Sequence, residues 1–219
     1  MTNVTLNGRP YKVPSTWQEV KVRQYVRILK EWEPEKDIAD RDYFILLKIL
    51  TDGNFAGMEN TLENQITLTS ILGWVVTEPF RFSEKLPKVL ELSGQKIPIP
   101  EDPRDLSIGQ NIHLRRDYIE KSKVLEESIS IATAIYLQPI IDNSLFKLNR
   151  AQEIAKEIDE MPISLIYPIG FFLLRRALGF GLKPVSFWQA VKISLVKILR
   201  KTWPGWRRST GSTATMISR

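Results

Sequence analysis

The sequence predicts a mainly α-helical fold with two small β-hairpins, an α+β chain. Three observations predict it. Residues 4–28, VTLNGRPYKVPSTWQEVKVRQYVRI, align without a gap on residues 90–114, LELSGQKIPIPEDPRDLSIGQNIHL, at an offset of 86. Each copy opens with two short alternating runs around a glycine turn. After each hairpin, apolar residues recur at helical rather than alternating spacing.

The alignment matches Leu6 with Leu92, Gly8 with Gly94, Pro14 with Pro100 and Gln24 with Gln110. Glu19 meets Asp105, and Val20, Val22, Val26 and Ile28 meet Leu106, Ile108, Ile112 and Leu114. A tandem duplication of a hairpin-plus-helices unit accounts for this, with units at 1–86 and 87–174 and a basic amphipathic helix and tail at 175–219. Two unrelated hairpin–helix junctions also account for it, because the matched glycines, prolines and caps are what such junctions demand.

The first hairpin pairs Val4 and Leu6 with Tyr11 and Val13 around Asn7-Gly8, a dipeptide that accepts the positive φ of a two-residue turn. Pro10 has no N–H to donate, which puts its strand at an edge. In the second copy Ser93-Gly94 forms the turn and Pro98 lies in the return strand. Ser107-Ile108-Gly109-Gln110 has the pattern of a capping box, in which Ser107 and Gln110 each bond the other's backbone N–H. Lys21 breaks that box in the first copy, where Ser15 and Gln18 instead suit a short preceding turn.

Val22, Tyr25, Val26, Leu29 and Trp32 then lie on one helical face. Further helices are expected over Asp42 to Leu50, ended by Asp52-Gly53, and over Glu63 to Val76, before Pro79. Another long helix is expected from Asp117 to Gln138, ended by Pro139. Asn149 to Met161 is expected to begin with a cap and stop at Pro162. Leu165 to Leu178 and Val185 to Lys201 complete the set, separated by Gly179, Gly181 and Pro184.

With 219 residues, 43% of them apolar, the chain can bury a substantial core. It has no cysteine, which excludes disulfides and thiolate zinc sites and suits a reducing interior. MTNVTLNGRP lacks the pattern of a secretory signal. A spanning helix needs about 20 apolar residues. Met161 to Leu174 is shorter and holds Pro162 and Pro168, and Val185 to Leu199 holds Lys192 and Lys197, so a soluble chain without a transmembrane segment is expected.

Charge is segregated. Glu160 is the last acidic residue, and beyond it stand ten basic ones, whereas the first 160 residues carry a net charge of −4. Such asymmetry shapes what each end meets.

No catalytic constellation stands out. His113 is the single histidine and fits a polar helix surface; no metal ligand set and no cofactor are expected. Glu33, Glu35, Asp37, Asp40 and Asp42 lack the spacing and glycine of a calcium loop. Glu153, Glu157, Asp159 and Glu160 suit a solvated helix face. Leu178-Gly179-Phe180-Gly181 lacks the lysine–serine pair of a phosphate loop and suits a helix stop.

The C-terminal segment is the main candidate site. Val185, Trp188, Val191, Leu195, Ile198 and Leu199 form one face, and Lys192, Lys197, Arg200 and Lys201 add charge before Trp203-Pro204-Gly205-Trp206-Arg207-Arg208. Three readings are open. The helix packs on its own fold with solvated charges. Or it docks on a protein partner, as amphipathic helices do in grooves, through Trp188, Lys192, Leu195, Lys197, Arg200, Lys201, Trp203, Trp206, Arg207 and Arg208. Or these last 45 residues bind nucleic acid or an anionic membrane surface.

The opening Val4-Thr5-Leu6-Asn7-Gly8, with Tyr11, Val13-Pro14, Trp17, Glu19-Val20 and Gln24, resembles the start of small tail-morphogenesis proteins of tailed bacteriophages. The later Glu157-Ile158, Met161-Pro162-Ile163, Tyr167-Pro168 and Phe171-Phe172-Leu173-Leu174 share the likeness, which covers about a third of the chain. The resemblance implies a tail assembly chaperone, non-enzymatic, that binds the long helical tape-measure protein in the host cytoplasm. It brings no catalytic residues. The basic, tryptophan-rich end departs from it. The alternatives kept open are a structural component of the virion neck or tail, a homo-oligomer, and a basic nucleic-acid-binding accessory protein.

Overall fold

A computed structural model describes residues 1–6, 9–32, 42–54, 61–78, 80, 85–100 and 106–179. All lie within the unit Met1–Phe180. Among the described residues the chain is mainly helical, with two separate two-stranded antiparallel sheets. The expected α+β class is what the structure shows.

Strands β1 (Thr2–Leu6) and β2 (Arg9–Val13) pair with Val4 opposite Tyr11; β3 (Val89–Leu92) and β4 (Gln95–Pro98) pair with Leu90 opposite Ile97. The two registers are related by the same offset of 86. The Asn7-Gly8 turn lies outside the described residues. In the second turn Ser93 and Gly94 both take positive φ, 51° and 72°, as a two-residue hairpin requires.

Helix α1 (Val22–Arg27) continues into a π-helical turn, Ile28–Trp32; α5 (Ile108–His113) continues into another, Leu114–Tyr118. Helices α2 (Tyr43–Leu50) and α6 (Ile129–Asp142) start 86 residues apart, as do α3 (Leu62–Leu72) and α7 (Leu148–Ile158). The offset seen in the opening segments therefore runs through later elements where the sequences have diverged. The copies differ at their last helix: α4 (Trp74–Thr77) has four residues and α8 (Ile163–Ala177) fifteen.

Caps form where a side chain can accept, at Asp42, expected only as a helix start, and at the expected Ser107 box. Asp42 accepts from Phe44 N at 2.8 Å, and Ser107 and Gln110 complete their box at 3.3 and 2.9 Å. In the first copy Gln24 keeps its half, accepting from Lys21 N at 3.0 Å, while the lysine ammonium has nothing to accept with. Glu19, rather than Gln18, closes the short turn at Trp17–Glu19 by accepting from the N–H and hydroxyl of Ser15.

Three expectations are corrected. Asp117 to Gln138 is not one helix. Ser122 bonds back to Tyr118 O, Val124 is extended, and 3₁₀ turns at Ile119–Lys121 and Leu125–Ser128 precede α6. Ten consecutive residues of α6, Ile129 to Gln138, are buried, so burial there carries no helical period to place its start. Pro139 lies inside α6 rather than ending it. Its missing N–H would have bonded the Ile135 carbonyl; that carbonyl instead accepts Gln110 Nε2 at 2.7 Å. Asn149 is within α7, whose first turn is approached through Lys147 N, bonded to Gln138 Oε1 at 2.8 Å.

One core runs through residues of both copies, from Val20, Val22 and Ile28 through Leu46 and Leu68 to Ile135, Ile154, Ile166 and Leu174. Helices α6 and α8 cross closely at Gly170. A Cβ there would stand 2.7 Å from Ile129 Cγ2 and 2.8 Å from Ile129 O.

Candidate functional site

Two places in the described residues combine chemistry with position: the tie between the α1 and α8 starts, and the face of α5. The first is a reciprocal cap. A helix start leaves N–H groups without intrahelical partners. Val22 N donates to Met161 O at 3.0 Å and Arg23 N to Asp159 O at 3.2 Å, while Ile163 N donates to Val20 O at 2.8 Å. Lys21 and Pro162 form an isolated antiparallel bridge between them. This is why Lys21 can stand where a capping serine is expected.

Four side chains surround the tie. Lys21 Nζ lies 3.2 Å from Asp52 and 2.9 Å from Glu160; Arg23 lies 2.8 Å from Asp52 and 2.9 Å from Glu160. The hydrogen bond to Glu160, joined by that to Asp52, holds the Lys21 ammonium above its usual range. Gln24 Nε2 adds a bond to Leu50 O at 3.0 Å, which parallels the Gln110–Ile135 contact with the acceptor displaced by one residue. Each matched glutamine thus caps its own helix and docks on a carbonyl of the next.

Beside the tie, Trp17, Tyr25, Trp74, Phe80, Tyr167 and Phe171 form a continuous aromatic cluster with ring centroids 5.0–6.0 Å apart. Trp17 Nε1 donates to Glu78 O at 2.6 Å. Glu126 is buried nearby, and desolvation raises its carboxyl above the usual range. Burial, the largest cause, also pushes the Tyr25 and Tyr167 phenols up, with Glu126 adding to both.

The α5 face is different. Ile108 and Ile112 stand one turn apart and are 81% and 51% exposed. Their counterparts on α1 are Val22, fully buried, and Val26, partly buried against the core. A second apolar pair at the same spacing, Leu62 and Ile66 on α3, is 79% and 63% exposed. Isolated exposed apolar residues are ordinary; two on one helical stripe place more apolar surface side by side.

His113 is half-buried, with Nδ1 2.9 Å from Asp117 Oδ2 and its ring 5.9 Å from Phe146. Hydrogen bonds from Arg116 and then His113 hold the Asp117 carboxyl well below its usual range. Glu157 accepts from the N–H and hydroxyl of Ser93 in the second hairpin turn. Asp159 accepts from Ser130 at 2.5 Å; burial raises its carboxyl, partly opposed by that bond. Glu153 pairs with Arg150. Among the described residues no group of three or more His, Cys, Asp or Glu is placed to hold a metal ion. The acidic run from Glu33 to Asp40 lies outside the described residues, and Asp42 serves as the α2 cap.

The ten residues expected to bind a partner, Trp188, Lys192, Leu195, Lys197, Arg200, Lys201, Trp203, Trp206, Arg207 and Arg208, all lie outside the described residues. The bare α5 stripe was missed. Its sequence signal is Ile108 and Ile112 at i and i+4, but the same signal on α1 marks a covered face. Among the described residues no helix is long and apolar enough to cross a membrane. No protein-family description, no curated protein and no solved structure matches the chain.

Proposed function

We propose that this protein is a non-enzymatic morphogenesis factor of a tailed bacteriophage, acting in the host cytoplasm as a tail assembly chaperone for a long helical protein of the tape-measure kind. The resemblance of the opening and of the Glu157–Leu174 stretch suggests the family. The observation that carries the docking role is the pair of exposed apolar stripes, Leu62/Ile66 and Ile108/Ile112; the other described helices expose at most a single large apolar residue each. A chaperone for a helical chain needs such stripes and needs no chemical site. The shared offset of 86 supports an origin by duplication of one hairpin-plus-helices unit.

The test is co-purification. The full chain is expected to retain a long helical phage protein, and full-length variants carrying Leu62→Glu with Ile66→Glu, or Ile108→Glu with Ile112→Glu, to retain less of it; unchanged retention by both variants overturns docking through the stripes. Purified particles should lack the protein, whereas a neck or tail component would be present in them. The ten basic residues after Glu160 favour one second reading, a nucleic-acid-binding accessory. That reading requires affinity for DNA or RNA to fall steeply with salt, because phosphate contacts release counterions.

A further inference from the structure

We propose that residues Lys183–Leu199 of one copy dock on the Ile108/Ile112 face of α5 in a second copy. The template is inside the chain. The α1 face bearing Val22 and Val26 meets a proline-opened helix, Pro162-Ile163-Ser164-Leu165-Ile166, with Pro162 bridged to Lys21 and Tyr167 edge-on to Tyr25. The α5 face is its counterpart at an offset of 86, and in the single chain it is bare.

The sequence holds a second proline-opened segment of the same kind, Pro184-Val185-Ser186-Phe187-Trp188, 22 residues after the first. At that offset the buried α8 residues Ile163, Ile166, Leu173 and Leu174 become Val185, Trp188, Leu195 and Val196. The segment therefore carries the apolar stripe that the α5 face lacks.

One further pairing agrees. Where Tyr25 meets Tyr167, the second contact sets Asn111 against Gln189, two amides able to bond each other. Lys21, Arg23 and Glu160 become Ser107, Gly109 and Leu182, so the ion pairs of the first contact are not repeated; instead Glu101, Asp102 and Asp105, with Arg104 among them, precede α5, and the incoming segment brings Lys183. Residues equivalent to α8 in the first copy do not offer this contact, because α4 stops after four residues.

Such a contact joins different surfaces on the two partners. It is heterologous, and repeats into a ring or an open chain. It occupies the Ile108/Ile112 stripe that is also proposed to hold the helical partner, so self-association and partner capture compete for that stripe. The test needs no partner, and its result stands apart from the chaperone reading.

The experiment uses two full-length variants, one altered on the face (Ile108→Glu with Ile112→Glu) and one on the segment (Val185→Glu with Trp188→Glu). Far-UV circular dichroism and melting confirm that the face variant is folded, as the exposure of both isoleucines leads one to expect. By sedimentation at about 100 μM, a concentration that populates micromolar complexes, wild type should exceed the 25.3 kDa monomer mass and each variant alone should not. Mixed together, the variants should form a complex of one copy of each and nothing larger. Monomeric wild type, self-association that survives in either variant, or a mixture that stays monomeric overturns the proposal.

Discussion

At the scale of single residues, the informative positions are polar groups inside the core. Glu126 is buried beside two tyrosines, and desolvation raises its carboxyl above the unfolded value of 4.5. A carboxyl raised on folding favours the native state while it is protonated. That contribution is complete below the unfolded value and is lost as pH rises through the native one. Glu126→Gln is therefore expected to melt above wild type at pH 7, with the gap closing as pH falls below about 4.5. A gap that stays constant with pH would mean the side chain acts through shape and not charge. Nothing in the sequence marks Glu126: it adjoins Glu127 in an acidic stretch that has the look of surface.

At the scale of elements, Gln110 and Pro139 act together. The proline withholds one N–H from α6, and the glutamine supplies another to the Ile135 carbonyl while also capping α5. Gln110→Ala leaves Ile135 O and Ser107 N without these bonds, and is expected to cost about 1–3 kcal/mol in urea denaturation. Pro139→Ala restores an N–H for Ile135 O, so the loss caused by Gln110→Ala should be smaller in the double variant. A cycle with no coupling would show that the two residues act independently. The helix starts were legible where a short polar side chain precedes an apolar run, as at Asp42 and Ser107. They were not legible at Asp117–Gln138, because a helix buried on all sides loses its period and a satisfied carbonyl lets proline remain inside it. Asn149 misled for a related reason: α7 starts one residue before it, after Lys147, whose N–H is held by distant Gln138.

At the scale of the described body, the reciprocal cap, the four-charge cluster and the aromatic cluster link residues 140 positions or so apart along the chain. A core shared in this way should unfold as one. Circular dichroism and tryptophan fluorescence are expected to report coincident urea transitions for the Met1–Phe180 unit. Two separated midpoints would mean that each copy holds its own core. The candidate surfaces divide along the same line. The C-terminal residues stand out in sequence by charge and tryptophan, whereas the α5 stripe is visible only once its twin on α1 is found covered.

The sequence by itself determined the class of the fold, the two hairpins, the Ser93-Gly94 turn, the 86-residue offset and most helix starts. These follow from local physics: positive φ at glycine, absent N–H groups at proline, and side-chain oxygens beside free amides. Only the tertiary structure decided which of two like helical faces is buried, which proline stays within a helix, and which lysine can occupy a cap. Each of those depends on an acceptor, or an apolar surface, delivered from residues far away in the chain.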